Sequence, residues 1–361
     1  MFDFFWILIW IAFAAIVTHI WDFQHEETVL GRTERRYTWT WAIALLVPLL
    51  LLCTFRGYIG DTYAYEKTFK AMPTAFSDLS EYYATLSKDR GFYLFSALIK
   101  IFITRNHRVY FFILAAIQGI LLFAVYRKYS TRFLISFFLF IASTDYISWM
   151  YNGIRQFMAV SLTFACLPLL LKKKYISAIL IALFASTFHG TALLVIPFYF
   201  LVGGKAWNFR TMLFLLGVMA AVVFVDEFTP FLESLLQETQ YENVVSDWTA
   251  WEDDGTNLFR VIVYSVPVVL SVVGLRFIRE ANDPLINMCV NMSIISMGFY
   301  IVSMFTSGIF IGRLPIYFSL YNYILLPWEI DHMFTKPSAR LVFRIMVVAY
   351  LLFYVYSIIG S

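Results

Sequence analysis

The chain has 361 residues, of which 61% are hydrophobic, 20% aromatic and only 14% charged. A water-facing surface takes roughly a quarter charged residues, so this composition excludes a soluble globular domain. The formal net charge of +3 leaves no basic patch with which to hold a nucleic acid.

A helix that crosses a bilayer needs about 20 mostly apolar residues, or roughly 17 where flanking side chains snorkel. In chain order, that criterion predicts spanning helices at residues 4–20, 40–55, 109–126, 133–149, 157–171, 175–188, 191–202, 212–225, 261–277, 286–306, 314–330 and 341–358, about twelve in all. The first run lacks a basic leader and a small-residue cleavage site, so it reads as a retained helix rather than a signal peptide. The run at 92–103 falls short of that criterion and decides the topology: the loop charges make it an interfacial or re-entrant helix, and were it to span, every later segment would flip. Cys53, Cys166 and Cys289 sit inside apolar runs without metal-ligand spacing and read as small core residues. The fold class is thus an all-α polytopic membrane protein.

Positive charge in short loops marks the cytoplasmic side. The clusters Arg32/Arg35/Arg36, Lys172/Lys173/Lys174, Lys205/Arg210, Arg276/Arg279 and Lys336/Arg340 are therefore inside, which leaves both termini outside. Two long loops face outward, at 56–108 and 226–260, and are expected to cover a site. The first holds Asp61, Glu66, Asp78, Glu81 and Asp89; the second holds Glu233, Glu238, Glu242, Asp247, Glu252, Asp253 and Asp254. With no internal repeat or linker, residues 1–361 read as one transmembrane domain.

Ionisable residues at the ends of apolar helices are expensive to keep there and are functional candidates by default. The topology gathers Arg56, Asp61, Arg155, Gln156, His189, Arg260 and Arg313 on the outer side. Four arginines there run against the orientation rule, and a shared anionic ligand explains them together; forked guanidinium groups suit a diphosphate. The plainer alternatives are arginines snorkelling to headgroups, a His189 satisfied by a neighbouring hydroxyl, and an Asp61 that simply forms a turn or caps a helix at the loop start. The acids of the second loop read most simply as a solvated face. A metal site among Asp253, Asp254 and Asn257 lacks specific spacing. No Walker loop, dinucleotide fingerprint, zincin motif or nucleophile elbow occurs.

Four stretches carry a family resemblance: Phe-Arg-Gly-Tyr-Ile-Gly-Asp-Thr-Tyr-Ala-Tyr from Phe55, Asn-Gly-Ile-Arg-Gln-Phe-Met-Ala from Asn152, Phe-His-Gly-Thr-Ala-Leu-Leu-Val-Ile-Pro from Phe188, and Gly-Arg-Leu-Pro-Ile-Tyr-Phe from Gly312. In these the chain resembles the EpsG family of bacterial exopolysaccharide proteins, relatives of the Wzy-type polysaccharide polymerases. The resemblance implies a GT-C-like fold and a multi-pass location in the bacterial plasma membrane. It implies a glycosyltransferase that joins undecaprenyl-diphosphate-linked oligosaccharides on the outer face, with no cofactor. Its expected partners are that lipid-linked substrate, membrane lipids and other exopolysaccharide assembly proteins.

On that chemistry Arg155 and Arg313, with Arg56, Gln156, Arg260 and Tyr317, are expected to bind the substrate, while His189 or Asp61 acts as general base. Arg155 is expected to be catalytic as well as binding, and no metal is required. Two other classes fit a cationic, outward-open cavity. A transporter or flippase for the lipid-linked sugar would more often show inverted repeats, and a membrane acyltransferase would need a polar route to a cytoplasmic acyl donor.

Overall fold

A computed structural model describes residues 5–225, 256–306, 308 and 310–359. The described chain is predominantly helical and of membrane type. Its internal contacts divide it into two compact units, Met1–Val195 with Lys336–Ser361, and Ile196–Thr335.

The first unit opens with α1 (Phe5–Ile20), followed by a hairpin of β1 (Gln24–Val29) and β2 (Arg32–Tyr37). Leu30 and Gly31 both have positive φ, 51° and 81°, as a two-residue hairpin turn of the primed type requires. The hairpin is an addition to the all-α expectation. Its strands carry Glu and Arg rather than an apolar alternation, so the hydrophobic pattern gave no strand signal. It is held through charge: Arg36 Nη1 donates to the Ser130 carbonyl at 2.6 Å, Arg127 Nη1 to the Tyr37 carbonyl at 2.8 Å, and Arg127 Nη2 lies 2.8 Å from Glu27 Oε2.

Next come α2 (Trp39–Thr54), α3 (Thr62–Ala71), α4 (Leu79–Thr85), α5 (Arg90–Phe102) and α6 (His107–Tyr129). The thirteen residues of α5 make it about 20 Å long, short of a bilayer core of about 30 Å. Helix α6 starts where the Asn106 side chain accepts the amide of Arg108 at 2.8 Å, an N-cap that satisfies an otherwise orphan donor. It packs on α2, where Gly119 makes room for Leu46: a Cβ there would lie 2.7 Å from Leu46 Cδ1. Phe69 of α3 stacks on Tyr110 of α6 at 4.1 Å.

The run expected as one straight helix at 133–149 is bent by 69°. Helix α7 (Phe133–Ala142) stops, Thr144 takes a φ of 64°, and a π-helix follows over Tyr146–Asn152. Then come α8 (Ile154–Phe164), α9 (Leu167–Leu171) and α10 (Tyr175–Ser186). A short 3₁₀ turn, Gly190–Leu194, leads out of the unit.

The second unit contains α11 (Val195–Leu201), α12 (Phe209–Val223), α13 (Leu258–Val273), α14 (Leu275–Ala281), α15 (Pro284–Met304), α16 (Ile316–Ser319) and α17 (Asn322–Met333). Helix α15 is buried along most of its length and packs on α12, α13 and α17. It begins where Asp283 caps the Leu285 amide and Pro284 presets the first turn. Its buried Asn287 and Asn291 accept the backbone amides of Ala206 and Trp207 at 3.0 and 3.1 Å, which fixes the loop before α12. Helices α13 and α14 meet at 71°, so the run expected at 261–277 is also bent. The hinge is Gly274, where a Cβ would lie 2.1 Å from Met333 Sδ. The run expected at 314–330 is divided between α16 and α17. In α17 the Glu329 side chain is fully buried, and neither carboxyl oxygen has a hydrogen-bond partner among the described residues.

The last helix, α18 (Lys336–Ile359), returns to the first unit, where Tyr146 and Tyr354 join their hydroxyls at 2.7 Å. Leu341, Ile345, Val348, Leu352, Tyr356 and Ile359 form an exposed apolar stripe along it. Exposed apolar faces of that length belong against lipid rather than water. Among the described residues, four helical stretches, His107–Tyr129, Ile154–Leu171, Pro284–Met304 and Lys336–Ile359, are long and apolar enough to cross a membrane, or up to six if each bent pair is one span. Phe5–Ile20, Trp39–Thr54, Tyr175–Ser186, Gly190–Leu201 and Phe209–Val223 are shorter apolar helices.

Candidate functional site

In the first unit, side chains from four separate stretches converge at the start of α5. Asp89 precedes that helix with φ 51° and ψ 36°, and its side chain makes no capping bond to the helix. Its carboxylate, 3% exposed, points to two cations or cation-capable groups instead: Arg155 Nη1 at 2.6 Å and His189 Nδ1 at 3.4 Å. Left-handed backbone is uncommon away from glycine, although aspartate adopts it more readily than most residues, and tertiary contacts hold Asp89 in it.

Those contacts are visible on either side of it. The Gly91 amide donates to the Thr187 carbonyl at 2.8 Å. A Cβ on Gly91 would lie 2.1 Å from Thr187 Oγ1 and 3.0 Å from the Thr187 carbonyl carbon. Only glycine lets the first turn of α5 close on the end of α10. Phe188, beside His189, anchors the same junction by packing on Phe92 and Phe95.

Arg155 is the second residue of α8. Gly153 permits its entry, since a Cβ there would meet the Trp149 ring at 2.8 Å. Besides Asp89, Arg155 donates to the Tyr93 hydroxyl at 3.1 Å and is hydrogen-bonded to Tyr65 of α3. Burial pushes the Tyr65 phenol up from its ordinary pKa while the Arg155 guanidinium pulls it back. Arg155 and His189 both stay partly accessible, at 26% and 19% of their side-chain surface.

The first two family-like stretches touch each other. The Asp61 amide donates to Asn152 Oδ1 at 3.3 Å. Asp61 itself is exposed, lies in a turn and occupies the N-cap position of α3 without a side-chain capping bond. Arg56 is half-buried, its Nη1 donates to the Met150 carbonyl at 2.7 Å, and its guanidinium lies 4.0 and 4.9 Å from the centroids of the Phe111 and Tyr151 rings. A groove of about 520 Å³ begins at Arg56 and Gly57 and runs past Ile59, Phe55, Leu52, Leu51 and Pro48 to Trp6 and Ile7. Gln156 is buried in the bundle at 3% exposure.

Arg260, Arg313 and Tyr317 belong to the second unit. Arg260 is half-buried in the first turn of α13, Arg313 is exposed at the end of the 3₁₀ turn Ile311–Arg313, and Tyr317 is buried in α16. Gly312 sits against Thr256, which is joined to Ser303 by two hydrogen bonds. The second loop's acids Glu233, Glu238, Glu242, Asp247, Glu252, Asp253 and Asp254 lie outside the described residues. Among the described residues, no group of three or more His, Cys, Asp or Glu could hold a metal ion.

Asp89 is the residue that the sequence pattern passed over as one loop acid among five. Its partners lie 66 and 100 positions further along the chain, so no local spacing connects them. The signal available was the small one of a Gly two residues after it at the start of an amphipathic helix.

No curated protein and no solved structure shows significant similarity to the chain. A protein-family model does match it, over residues 39–361, which takes in all four motif stretches. The chain therefore belongs to the EpsG family.

Proposed function

We propose that the chain is an exopolysaccharide polymerase, a glycosyltransferase that joins undecaprenyl-diphosphate-linked repeat units on the outer face of a bacterial plasma membrane. Family membership supports a role of this kind. The observation that carries the reading is the meeting of Arg155 and His189 on one buried carboxylate, both still accessible. An anion-binding group and a proton acceptor then stand side by side, as glycosyl transfer from a diphosphate requires.

In the proposed reaction an acceptor hydroxyl attacks the anomeric carbon of the lipid-linked glycan. The bond from that carbon to the phosphate oxygen breaks, and its electron pair leaves with undecaprenyl diphosphate. His189 takes the hydroxyl proton at Nε2. Arg155 neutralises the negative charge that grows on the leaving diphosphate, the task a divalent metal performs in many glycosyltransferases. Direct displacement needs no covalent intermediate on the enzyme. The apolar groove beside Arg56 suits the first part of a polyisoprenyl chain. For Arg260, Arg313 and Tyr317 the proposed role in binding substrate rests on the sequence alone. The topology of about twelve crossings and the GT-C type are parts of the same proposal.

The test is purified protein in vesicles with lipid-linked repeat units and nothing else. Lengthened glycans are expected. A flippase would move the units across the bilayer and leave their length unchanged, and an acyltransferase would stay inactive without an acyl donor; either result overturns the polymerase reading.

A further inference from the structure

We propose that Asp89 is a positioning residue that fixes the tautomer of His189 and the place of Arg155 through the two oxygens of one carboxylate. The inference rests on the polymerase reading for its meaning, but its geometry stands without it.

The nitrogen of His189 that faces Asp89 is Nδ1, 3.4 Å from Oδ1. A carboxylate only accepts, so a neutral imidazole in that place carries its proton on Nδ1 and keeps a lone pair on Nε2. A ring left to choose would present either nitrogen to the substrate, and only one of the two forms could take a proton there. The other oxygen, Oδ2, accepts from Arg155 Nη1 at 2.6 Å. One rigid planar group thereby sets the spacing between the base and the guanidinium.

Three features make the carboxylate suited to this. It is 3% exposed, so water does not compete for its oxygens. It spends no hydrogen bond on capping α5, although it occupies the cap position. Its left-handed backbone and the Gly91–Thr187 contact hold it against the residues just before His189. A purely structural ion pair for Arg155 would need the first of these features and not the choice of Nδ1.

The test reads the tautomer directly. Imidazole ¹⁵N NMR on the purified full chain, with the His189 signals assigned by their loss in His189→Gln, is expected to show the Nδ1–H form in the wild type at a pH where the ring is neutral. Asp89→Glu should keep that form. In Asp89→Asn the amide can turn its NH₂ toward Nδ1, and the Nε2–H form should take over. Polymerisation by Asp89→Asn should fall by about 10²-fold or more, with partial recovery in Asp89→Glu. An Nε2–H wild type, or an Asp89→Asn that keeps Nδ1–H, overturns the proposal. Should Asp89→Asn not fold, the wild-type tautomer still decides. Failure of the wild type to lengthen glycans would sink the polymerase reading and leave the tautomer result standing by itself.

Discussion

The side-chain amide of Asn152 occupies the space that a side chain on Gly60 would need: a Cβ built on Gly60 falls 1.3 Å from Asn152 Oδ1. The Asp61 amide bonds to the same oxygen. Two stretches of chain some ninety positions apart are thus docked through a missing methyl group, and one of them leads directly into Arg155.

Gly60→Ala is expected to break this docking, since Gly60 also has φ 55°, where a Cβ costs about 1–2 kcal/mol before any clash. Glycan lengthening should fall several-fold at equal protein level. Adding Asn152→Ala removes the clash and should restore part of it. A double mutant no better than Gly60→Ala alone would show that steric docking is not the cause.

Arg155→Ala should reduce polymer length to a few repeat units, a loss of about 10²-fold or more in rate. Arg155→Lys should recover little, because a lysine cannot hold the carboxylate of Asp89, the Tyr93 hydroxyl and a phosphate with one planar fork. Long chains from either variant would remove this arginine from the reaction.

The two candidate bases separate cleanly. His189 belongs to the Asp89 cluster, so His189→Ala should slow turnover by about 10² to 10⁴-fold. Asp61 is exposed and its side chain caps nothing, so Asp61→Asn should stay within a few-fold of wild type. Initial rates with defined lipid-linked substrate check both, and the reverse ranking would move the base to Asp61.

Glu329 offers a stability test remote from the cluster's residues in sequence. Both of its carboxyl oxygens are buried without a hydrogen-bond partner among the described residues, which costs roughly 1–3 kcal/mol. Glu329→Met, similar in volume and apolar, should raise the melting temperature of the purified protein by several degrees. A lower melting temperature would mean that the carboxyl is satisfied in the folded protein.

The long apolar runs foretold the helices well where nothing interrupts them. Those expected at 109–126, 286–306 and 341–358 are α6, α15 and α18, each reaching further at one or both ends because caps such as Asn106 and Asp283 lie outside the apolar stretch. Hydropathy is blind to bends, so Thr144 and Gly274 passed unnoticed inside what read as single spans. It is equally blind to the hairpin, whose strands are held by arginines and glutamates. For the candidate site, charge at helix ends singled out Arg155 and His189. Asp89 stayed hidden because burial of an acid in a polar loop is a tertiary event. Arg56 was legible as a cation but not as one already stacked on Phe111 and Tyr151.

The return of α18 to the first unit has a consequence for how the protein is made. Tyr146 enters the membrane long before Tyr354 is synthesised, and at about 5–20 residues per second the ribosome needs roughly 10–40 s to bridge that interval. Throughout it the face of α7 that α18 covers is open to lipid and to other nascent helices. Biogenesis of this fold is therefore late-closing: the packing of α7 waits for α18, about two hundred residues further along the chain.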